Sequence, residues 1–302
     1  MGLLDKLGLG KGNSKPGSEL KSNRKIDIDA RFELIRTAVN GTMSKFYAAR
    51  DRENDYKVVG LKLCDFEKFS FFESRFKGLN KPAEGEIAAQ MDHPNIIKTL
   101  EYGLTNKKEP YLLMEFIKGP GLNTLISNQD LERIGDRRLS LIKQMADALA
   151  YVHKKGFIHR DICPRNYICS TDLREIKLID FGLTVPATEP FMKPGNRTGT
   201  PVYMAPEIVR RRATDQRLDI FAFGVSCYQL LTFDLPWPGG DTSGMAALNH
   251  DSPPKDILNF RPELNKALGG LIMQCVQPNA ADRIQTMEQL VSQLRTIHSE
   301  TN

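Results

Sequence analysis

Three features are absent from this 302-residue sequence, and each absence argues against one class of protein. No apolar run approaches the length of a membrane span, so a transmembrane segment is not expected. The five cysteines form no CxxC pair or other metal-ligand spacing and no signal peptide precedes them, which favours a reducing, cytoplasmic location. No dense stripe of lysine and arginine interleaved with aromatics occurs, and the net charge of +5 is modest, so nucleic acid is not the expected partner.

What is present is the composition of an ordinary folded protein. A hydrophobic content of 40% over 302 residues is enough for two packed lobes with a shared cleft. Residues 1–25 are rich in glycine, lysine, serine and asparagine and bury too little apolar surface to fold, which predicts a disordered tail. Leu3, Leu4 and Leu7 lie at helical spacing, so weak contact of this tail with a membrane or a partner is the alternative.

Two patterns divide the rest of the chain. Strand-like alternation and turn-forming residues occupy most of residues 32–63, and a further extended segment covers residues 110–117. Apolar residues at steps of three and four, clearest from Leu139 to Val152, then indicate helices. The change predicts a sheet-based domain over residues 26–117 and a mainly helical domain over residues 118–298.

The most informative stretch is residues 159–166, which reads HRDICPRN and is followed by the tripeptide DFG at residues 180–182. This stretch resembles the catalytic centre of a protein kinase. Phosphoryl transfer needs little covalent chemistry from a protein, so such a site reduces to one carboxylate for the incoming hydroxyl and oxygen ligands for Mg²⁺. Asp161 supplies the carboxylate. Asn166, on the same loop, and Asp180, at the end of a short apolar run, supply the metal ligands.

These motifs, together with GTPVYMAPE at residues 199–207, resemble those of the Hanks-type Ser/Thr protein kinase catalytic domain. The resemblance covers about residues 30–298 and includes Arg283, which in that family pairs with the residue at Glu207. It implies an α+β, bilobal protein kinase fold. The nucleotide-binding N-lobe has a small antiparallel β-sheet and one main helix, and the larger, mainly helical C-lobe carries the catalytic loop, the activation segment and the substrate-binding surface. ATP and Mg²⁺ are the implied cofactors.

The resemblance also assigns a lysine and a glutamate to the nucleotide. Lys62, at the end of the segment VGLK, corresponds to the lysine that pairs with the α and β phosphates. Gly60 shares the strand face of Lys62, and its missing side chain leaves room for a flat adenine. In the family a glutamate on the first long helix holds this lysine. Glu84 is preferred over Glu86 because Glu84 shares one helical face with the apolar Ile87.

Further contacts implied by the resemblance surround the phosphates and the adenine. Of the three glycines in the family's phosphate-covering loop only the middle one is present, as Gly41, so the backbone approaches the phosphates less freely. Met114 corresponds to the gatekeeper, and Glu115 and Ile117 to hinge residues, although a plain strand core explains these side chains equally well. The remaining expected contacts are Phe46 and Ile168.

The catalytic loop departs from the family at Cys163, where Ser/Thr kinases carry a lysine that contacts the γ-phosphate. This departure keeps an alternative function open, a nucleotide-binding pseudokinase that acts as a signalling scaffold. Arg165 lies four residues after Asp161, as an arginine does in many tyrosine kinases that also lack the lysine. We therefore expect Arg165 to be a catalytic residue that takes over the γ-phosphate contact, the alternative being a surface arginine beside a small buried cysteine.

Residues 199–207 resemble the peptide-binding loop of Ser/Thr kinases, in which the residue at Thr200 contacts the catalytic aspartate. They predict transfer to serine and threonine hydroxyls of protein substrates, autophosphorylation included, and disfavour a small-molecule kinase. The positive charge of Arg165 argues against a preference for substrates with an upstream arginine. Arg160 is of the type that binds an activation-loop phosphate, and the nearest candidate acceptor is Thr198, with Thr184 and Thr188 behind it.

Overall fold

The computed structural model describes residues 21–35, 39–40, 44–195, 197–237 and 252–302. The chain divides into two compact units, residues 1–117 and residues 118–302. The first unit is built on a β-sheet and the second mainly on helices.

A seven-stranded sheet forms most of the first unit. Its strands are β1 (Lys21–Ile26), β2 (Phe32–Leu34), β3 (Val39–Asn40), β4 (Ser44–Asp51), β5 (Lys57–Cys64), β6 (Thr99–Thr105) and β7 (Pro110–Glu115). Their spatial order is β1-β6-β7-β5-β4-β2, with β3 paired to β4. The pairs are antiparallel except β1 with β6. The antiparallel N-lobe sheet that the resemblance implied is confirmed.

Strand β1 corrects the expected extent of the N-terminal tail. Composition predicts disorder up to residue 25, whereas Lys21 lies opposite Glu101 and Ile26 lies opposite Thr105 in a parallel pairing with β6. The side chain of Ile26 is buried in the core of the unit. Pairing at a sheet edge uses main-chain groups, which a polar composition does not reveal, so composition is a poor guide to this segment.

A buried ionic cluster connects four strands of this sheet. Arg31, at the end of helix α1 (Ile28–Arg31), bonds to Asp51 at 3.0 and 2.8 Å and to Glu101 at 2.8 and 3.1 Å. The hydroxyl of Tyr111 donates to Glu101 at 2.5 Å. Burial opposes the charge of the Arg31 guanidinium, but the bonds to the two carboxylates outweigh burial and raise its pKa. The cluster thereby connects the start of β2 to β4, β6 and β7.

Two helices follow β5, namely α2 (Phe66–Ser74) and α3 (Glu84–Ala88). The glutamate expected on the first long helix lies on α3, which has only five residues, so that part of the expectation is wrong. Pro82 fits only the first turn of a helix and Ala83 has an extended backbone, so the helix begins at Glu84.

Helix α3 lies very close to the sheet. A Cβ atom at Gly85 would come within 2.4 Å of the Tyr102 ring on β6. Glycine usually weakens a helix interior, but here only glycine permits this approach. The packing against Tyr102 therefore fixes one side of a helix that is too short to be stable alone.

Helices form most of the second unit. They are α4 (Leu122–Ser127), α5 (Leu131–Ile134), α6 (Arg138–Lys154), α7 (Glu189–Met192), α8 (Pro206–Val209), α9 (Arg217–Thr232), α10 (Lys266–Cys275) and α11 (Met287–Arg295). Two antiparallel strand pairs accompany them, β8 (Phe157–Ile158) with β11 (Val185–Pro186) and β9 (Tyr167–Cys169) with β10 (Ile176–Leu178). The mainly helical C-lobe is confirmed. The packed chain continues past the expected end at residue 298, since Leu264 pairs with Thr301.

A buried arginine anchors the segment that ends at Glu207. The side chain of Arg283 is fully buried and forms two bonds of 2.8 Å with the Glu207 carboxylate. Its other N–H groups donate to main-chain oxygens of Arg217, Gln277 and Pro278. All five donors of the guanidinium are thereby used, which fixes Glu207 relative to the helical core.

Replacing Arg31 by methionine should destabilise the first unit by about 3–5 kcal/mol, because two buried carboxylates lose their cation. Arg50→Met is the matched control. Its pair with Glu33 is 3.2 Å long and about half exposed, and such pairs contribute about 0–1 kcal/mol. Urea unfolding followed by circular dichroism measures both losses, and equal losses would contradict the importance of the buried cluster.

Candidate active site

Lys62 and Glu84 form a buried ion pair in the first unit. Lys62 lies on β5 opposite Phe46, and its ammonium contacts the Glu84 carboxylate on α3. Both side chains are almost fully buried. The second carboxylate oxygen of Glu84 accepts a bond from the thiol of Cys64 at 3.9 Å, and the Lys62 ammonium lies 5.3 Å from the centre of the Phe46 ring. The charge of Lys62 is therefore held on a defined side of the sheet.

The other candidate glutamate has a different role. Glu86 accepts the N–H of Ala83 at 2.9 Å and so caps the start of α3. The two carboxylates point to different partners because the helix turns about 100° per residue, which separates Glu84 from Glu86 by about 200°. Of the two, only Glu84 reaches Lys62 in the described part of the chain.

The residues expected to contact adenine lie on or beside β5 and β7. Gly60 pairs with Met114, and a Cβ atom at Gly60 would lie 3.4 Å from the carbonyl oxygen of Glu115 and 3.8 Å from Cβ of Met114. These are ordinary contact distances, so packing within the sheet does not require glycine at this position. Ile117 follows β7 and is half-buried.

Two further residues, Gly41 and Ile168, are expected to contact the nucleotide. Gly41, in the phosphate-covering loop, lies outside the described residues. Ile168 lies in the second unit on β9, opposite Lys177, and also forms a bridge with Gly121. Its side chain is half-buried.

The carboxylate of Asp161 is held from two sides. One oxygen accepts the hydroxyl of Thr200 at 2.8 Å and the N–H of Thr200 at 3.0 Å. The other oxygen accepts the side-chain amide of Asn166 at 3.0 Å, and the same amide donates to the main-chain oxygen of Asp161 at 2.7 Å. These four bonds fix the direction in which the carboxylate faces.

A buried aspartate holds the backbone before Asp161. The fully buried carboxylate of Asp219 accepts the N–H of His159 at 2.7 Å and of Arg160 at 2.8 Å, and the ring of His153 lies 2.9 Å away. Burial opposes the charge of Asp219, but these bonds outweigh it and lower its pKa. The same contacts keep Arg160 in a left-handed backbone conformation with φ of 71°, which is rare for an arginine.

The DFG segment packs against the catalytic loop. The ring of Phe181 is buried, and its centre lies 5.3 Å from that of His159. Burial lowers the pKa of His159, so its ring is neutral at pH 7 and accepts the N–H of Asp161 at 3.3 Å. The carboxylate of Asp180 accepts the N–H of Gly182 at 2.8 Å, which turns the aspartate at the end of the apolar strand.

The side-chain oxygens of Asn166 and Asp180 are suited to bind Mg²⁺. Asn166 directs its amide nitrogen at Asp161, so its amide oxygen is the atom suited to bind a metal. Asp180 supplies a carboxylate, and carboxylate and amide oxygens are the ligands that Mg²⁺ prefers. Among the described residues no group of three or more histidine, cysteine, aspartate or glutamate side chains could hold a metal. One Asn and one Asp are enough protein ligands for Mg²⁺ when phosphate oxygens supply further ligands.

Cys163 and Arg165 occupy opposite environments near Thr200. Cys163 is fully buried, and burial raises the pKa of its thiol to about 12, so the thiol is neutral and unreactive at pH 7. Its sulfur lies 3.8 Å from the hydroxyl of Thr200. Arg165 is exposed, and its guanidinium donates to the same hydroxyl at 2.9 Å. The Thr200 hydroxyl thus connects Arg165 to Asp161, a link that the sequence pattern does not reveal.

The candidate phosphate acceptors differ in accessibility. Thr184 and Thr198 are buried, and the hydroxyl of Thr184 lies 3.4 Å from the main-chain oxygen of His159. Thr188 is exposed. Arg160 is itself buried, and burial lowers the pKa of its guanidinium to about 10 against the opposing charge of Asp219. In this conformation Thr188 is therefore the acceptor that another molecule can reach.

Comparison with known proteins agrees with this geometry. The protein kinase domain profile matches residues 32–294. The serine/threonine-protein kinase pkn2 of Myxococcus xanthus is 28% identical over 282 residues, which cover 90% of this chain and 33% of the relative. The serine/threonine-protein kinase pkn3 of the same organism is 30% identical over 90% of this chain and 51% of the relative. The probable serine/threonine-protein kinase PknB of Lactococcus lactis is 26% identical over 88% of this chain and 42% of the relative.

The chain thus spans about a third to a half of the length of these curated relatives. Among the described residues, no helix has the length and apolar character needed to cross a membrane.

Proposed function

The chain belongs to the protein kinase family, and we propose that it is an ATP- and Mg²⁺-dependent kinase that transfers the γ-phosphate to serine and threonine hydroxyls of proteins, itself included. The observation that carries this proposal is the Asp161 carboxylate, which Thr200 holds at one oxygen and Asn166 at the other. A carboxylate fixed in this way is the group that orients an incoming hydroxyl and accepts its proton in phosphoryl transfer.

The residues around the nucleotide have separate roles in this proposal. Lys62, held by Glu84, binds the α and β phosphates of ATP. Asn166 and Asp180 would hold Mg²⁺, which neutralises phosphate charge when bound. The proposed contacts to adenine and the remaining phosphate oxygens are Gly41, Phe46, Gly60, Met114, Glu115, Ile117 and Ile168.

Arg165 is proposed to contact the γ-phosphate in place of the missing lysine. Its guanidinium donates to the Thr200 hydroxyl at 2.9 Å, and that hydroxyl donates to Asp161 at 2.8 Å. A cation so close to the catalytic carboxylate can stabilise the negative charge that redistributes in the transition state. The thiol of Cys163 cannot do so, because it is buried and neutral.

The substrates are proposed to be proteins with serine or threonine hydroxyls, because Thr200, in the segment that resembles the Ser/Thr peptide-binding loop, bonds to the catalytic carboxylate. We further propose a cytoplasmic location, and weak contact of the N-terminal tail with a membrane or a partner remains an alternative. A nucleotide-binding scaffold without transfer activity is the less favoured alternative. The joint presence of Lys62, Glu84, Asp161, Asn166 and Asp180 weighs against it.

Asp161→Asn should lower phosphate transfer from γ-labelled ATP by at least about a hundredfold, because the substrate hydroxyl loses the group that accepts its proton. The assay measures transfer to the protein itself and to a generic Ser/Thr protein substrate. Asp147→Asn is the matched control, since Asp147 lies on α6 and makes only a long, partly exposed pair with Arg295 at 3.8 Å. No transfer by the wild type, with ATP still raising its melting temperature, would favour the scaffold.

Arg165→Ala should lower the single-turnover rate by about tenfold to a hundredfold, because the transition state loses a fixed positive charge. The KM for the protein substrate should change little. Arg174→Ala is the control, because Arg174 is exposed and pairs only with the exposed Asp172. A single-turnover rate equal to that of the wild type would remove Arg165 from the mechanism.

A further inference from the structure

A further buried ion pair lies in the first unit, outside every motif of the sequence. The ammonium of Lys81 lies 2.8 Å from the Glu73 carboxylate and donates to the main-chain oxygen of Pro82 at 3.3 Å. The side chain of Lys81 is completely buried and that of Glu73 nearly so. A lysine is almost never fully buried unless it is paired, so this position is specifically built.

Aromatic rings complete the environment of the ammonium. The Lys81 nitrogen lies 5.6 Å from the centre of the Phe72 ring and 5.8 Å from that of Phe76. The two rings meet edge to face at 5.2 Å, and both are buried. The faces of aromatic rings attract cations. Glu73 and the two phenylalanines therefore form one site for the lysine head, at the end of α2 and in the turn that follows it.

This lysine stands directly before the helix that carries Glu84. Lys81 lies three residues before Glu84, and its ammonium bonds to the carbonyl of Pro82 between them. Helix α3 has five residues, too few to be stable by local hydrogen bonds alone. Its direction must come from contacts at its start and on its face. Gly85 against Tyr102 provides the contact on the face. At the start, Glu86 caps the N–H of Ala83, and Lys81 holds the carbonyl of Pro82 just before it.

We propose that Lys81, held by Glu73 and the two phenylalanines, is a positioning residue for the Lys62–Glu84 pair. The bonds of the Lys81 ammonium to Glu73 and to the carbonyl of Pro82 fix the chain just before α3. Glu84, the first residue of α3, then presents its carboxylate to Lys62. The inference rests on the proposed function, in which that pair binds the phosphates of ATP. It predicts that Lys81 affects phosphate transfer only through Glu84.

A double-mutant cycle tests this dependence. Lys81→Met should lower kcat/KM for ATP by about tenfold to a hundredfold in the wild-type background, because small displacements of positioning groups are costly. In a Glu84→Gln background the same substitution should lower kcat/KM by less than about twofold, since the pair it positions is already lost. Lys77→Met is the matched control, because Lys77 is an exposed lysine of the same segment. It should leave kcat/KM unchanged.

The cycle separates positioning from a general loss of folded protein. A smaller folded fraction would lower the rate equally in both backgrounds, and an equal loss in both would overturn the inference. A wild-type value of kcat/KM for Lys81→Met would do so as well. Where Lys81→Met does not fold, Glu73→Gln, which keeps an acceptor for the ammonium, takes its place with the same expected pattern.

The outcome also distinguishes this inference from the proposed function. If the wild type transfers no phosphate, the proposed function fails on its own. The same cycle is then measured by ATP affinity, which should fall for Lys81→Met only when Glu84 is present. Equal affinities of wild type and Lys81→Met for ATP would overturn the positioning role.

Discussion

The buried carboxylate of Asp219 determines how the catalytic loop begins. A carboxylate without contact to water must be surrounded by donors, and the main chain of His159 and Arg160 supplies two of them at 2.7 and 2.8 Å. Meeting this requirement bends Arg160 into a left-handed conformation, and the next residue is Asp161. The position of Asp161 is therefore a consequence of satisfying a buried charge. Thr200 then fixes the orientation of its carboxylate by two bonds.

The need to pair buried charges also determines which segments meet in the first unit. Among the described residues of this unit, the cations of Arg31, Lys62 and Lys81 are buried, and each is paired with at least one carboxylate from a different segment. A buried pair contributes little net stability, because desolvation offsets the attraction between the charges, but losing one partner is very costly. Such pairs therefore specify which segments meet more than they stabilise the fold. Here they fasten β2 to β4 and β6, β5 to α3, and α2 to the start of α3.

The sequence allowed the fold and most of the catalytic loop to be predicted, because phosphate chemistry requires particular side chains at nearly fixed separations. Helical phase distinguished Glu84 from Glu86, since a 100° step sends their carboxylates to different sides. Neither motif spacing nor helical phase identified Arg31 or Lys81 as buried, paired residues. A single charged residue in a segment without periodicity is typical of an exposed surface, and only its partners in three dimensions reveal that it is buried. The pairing of β1 escaped prediction for a related reason, because it depends on main-chain groups that composition does not describe.

We propose that this site, which lacks the usual lysine at Cys163, still transfers phosphate because Arg165 supplies the missing charge. The most direct measurement is the single-turnover rate of the double variant Cys163→Lys/Arg165→Ala beside that of Arg165→Ala. If Arg165 replaces the lysine, restoring a lysine at residue 163 should return most of the rate lost in Arg165→Ala. A double variant that folds and binds ATP but remains as slow as Arg165→Ala would contradict the claim.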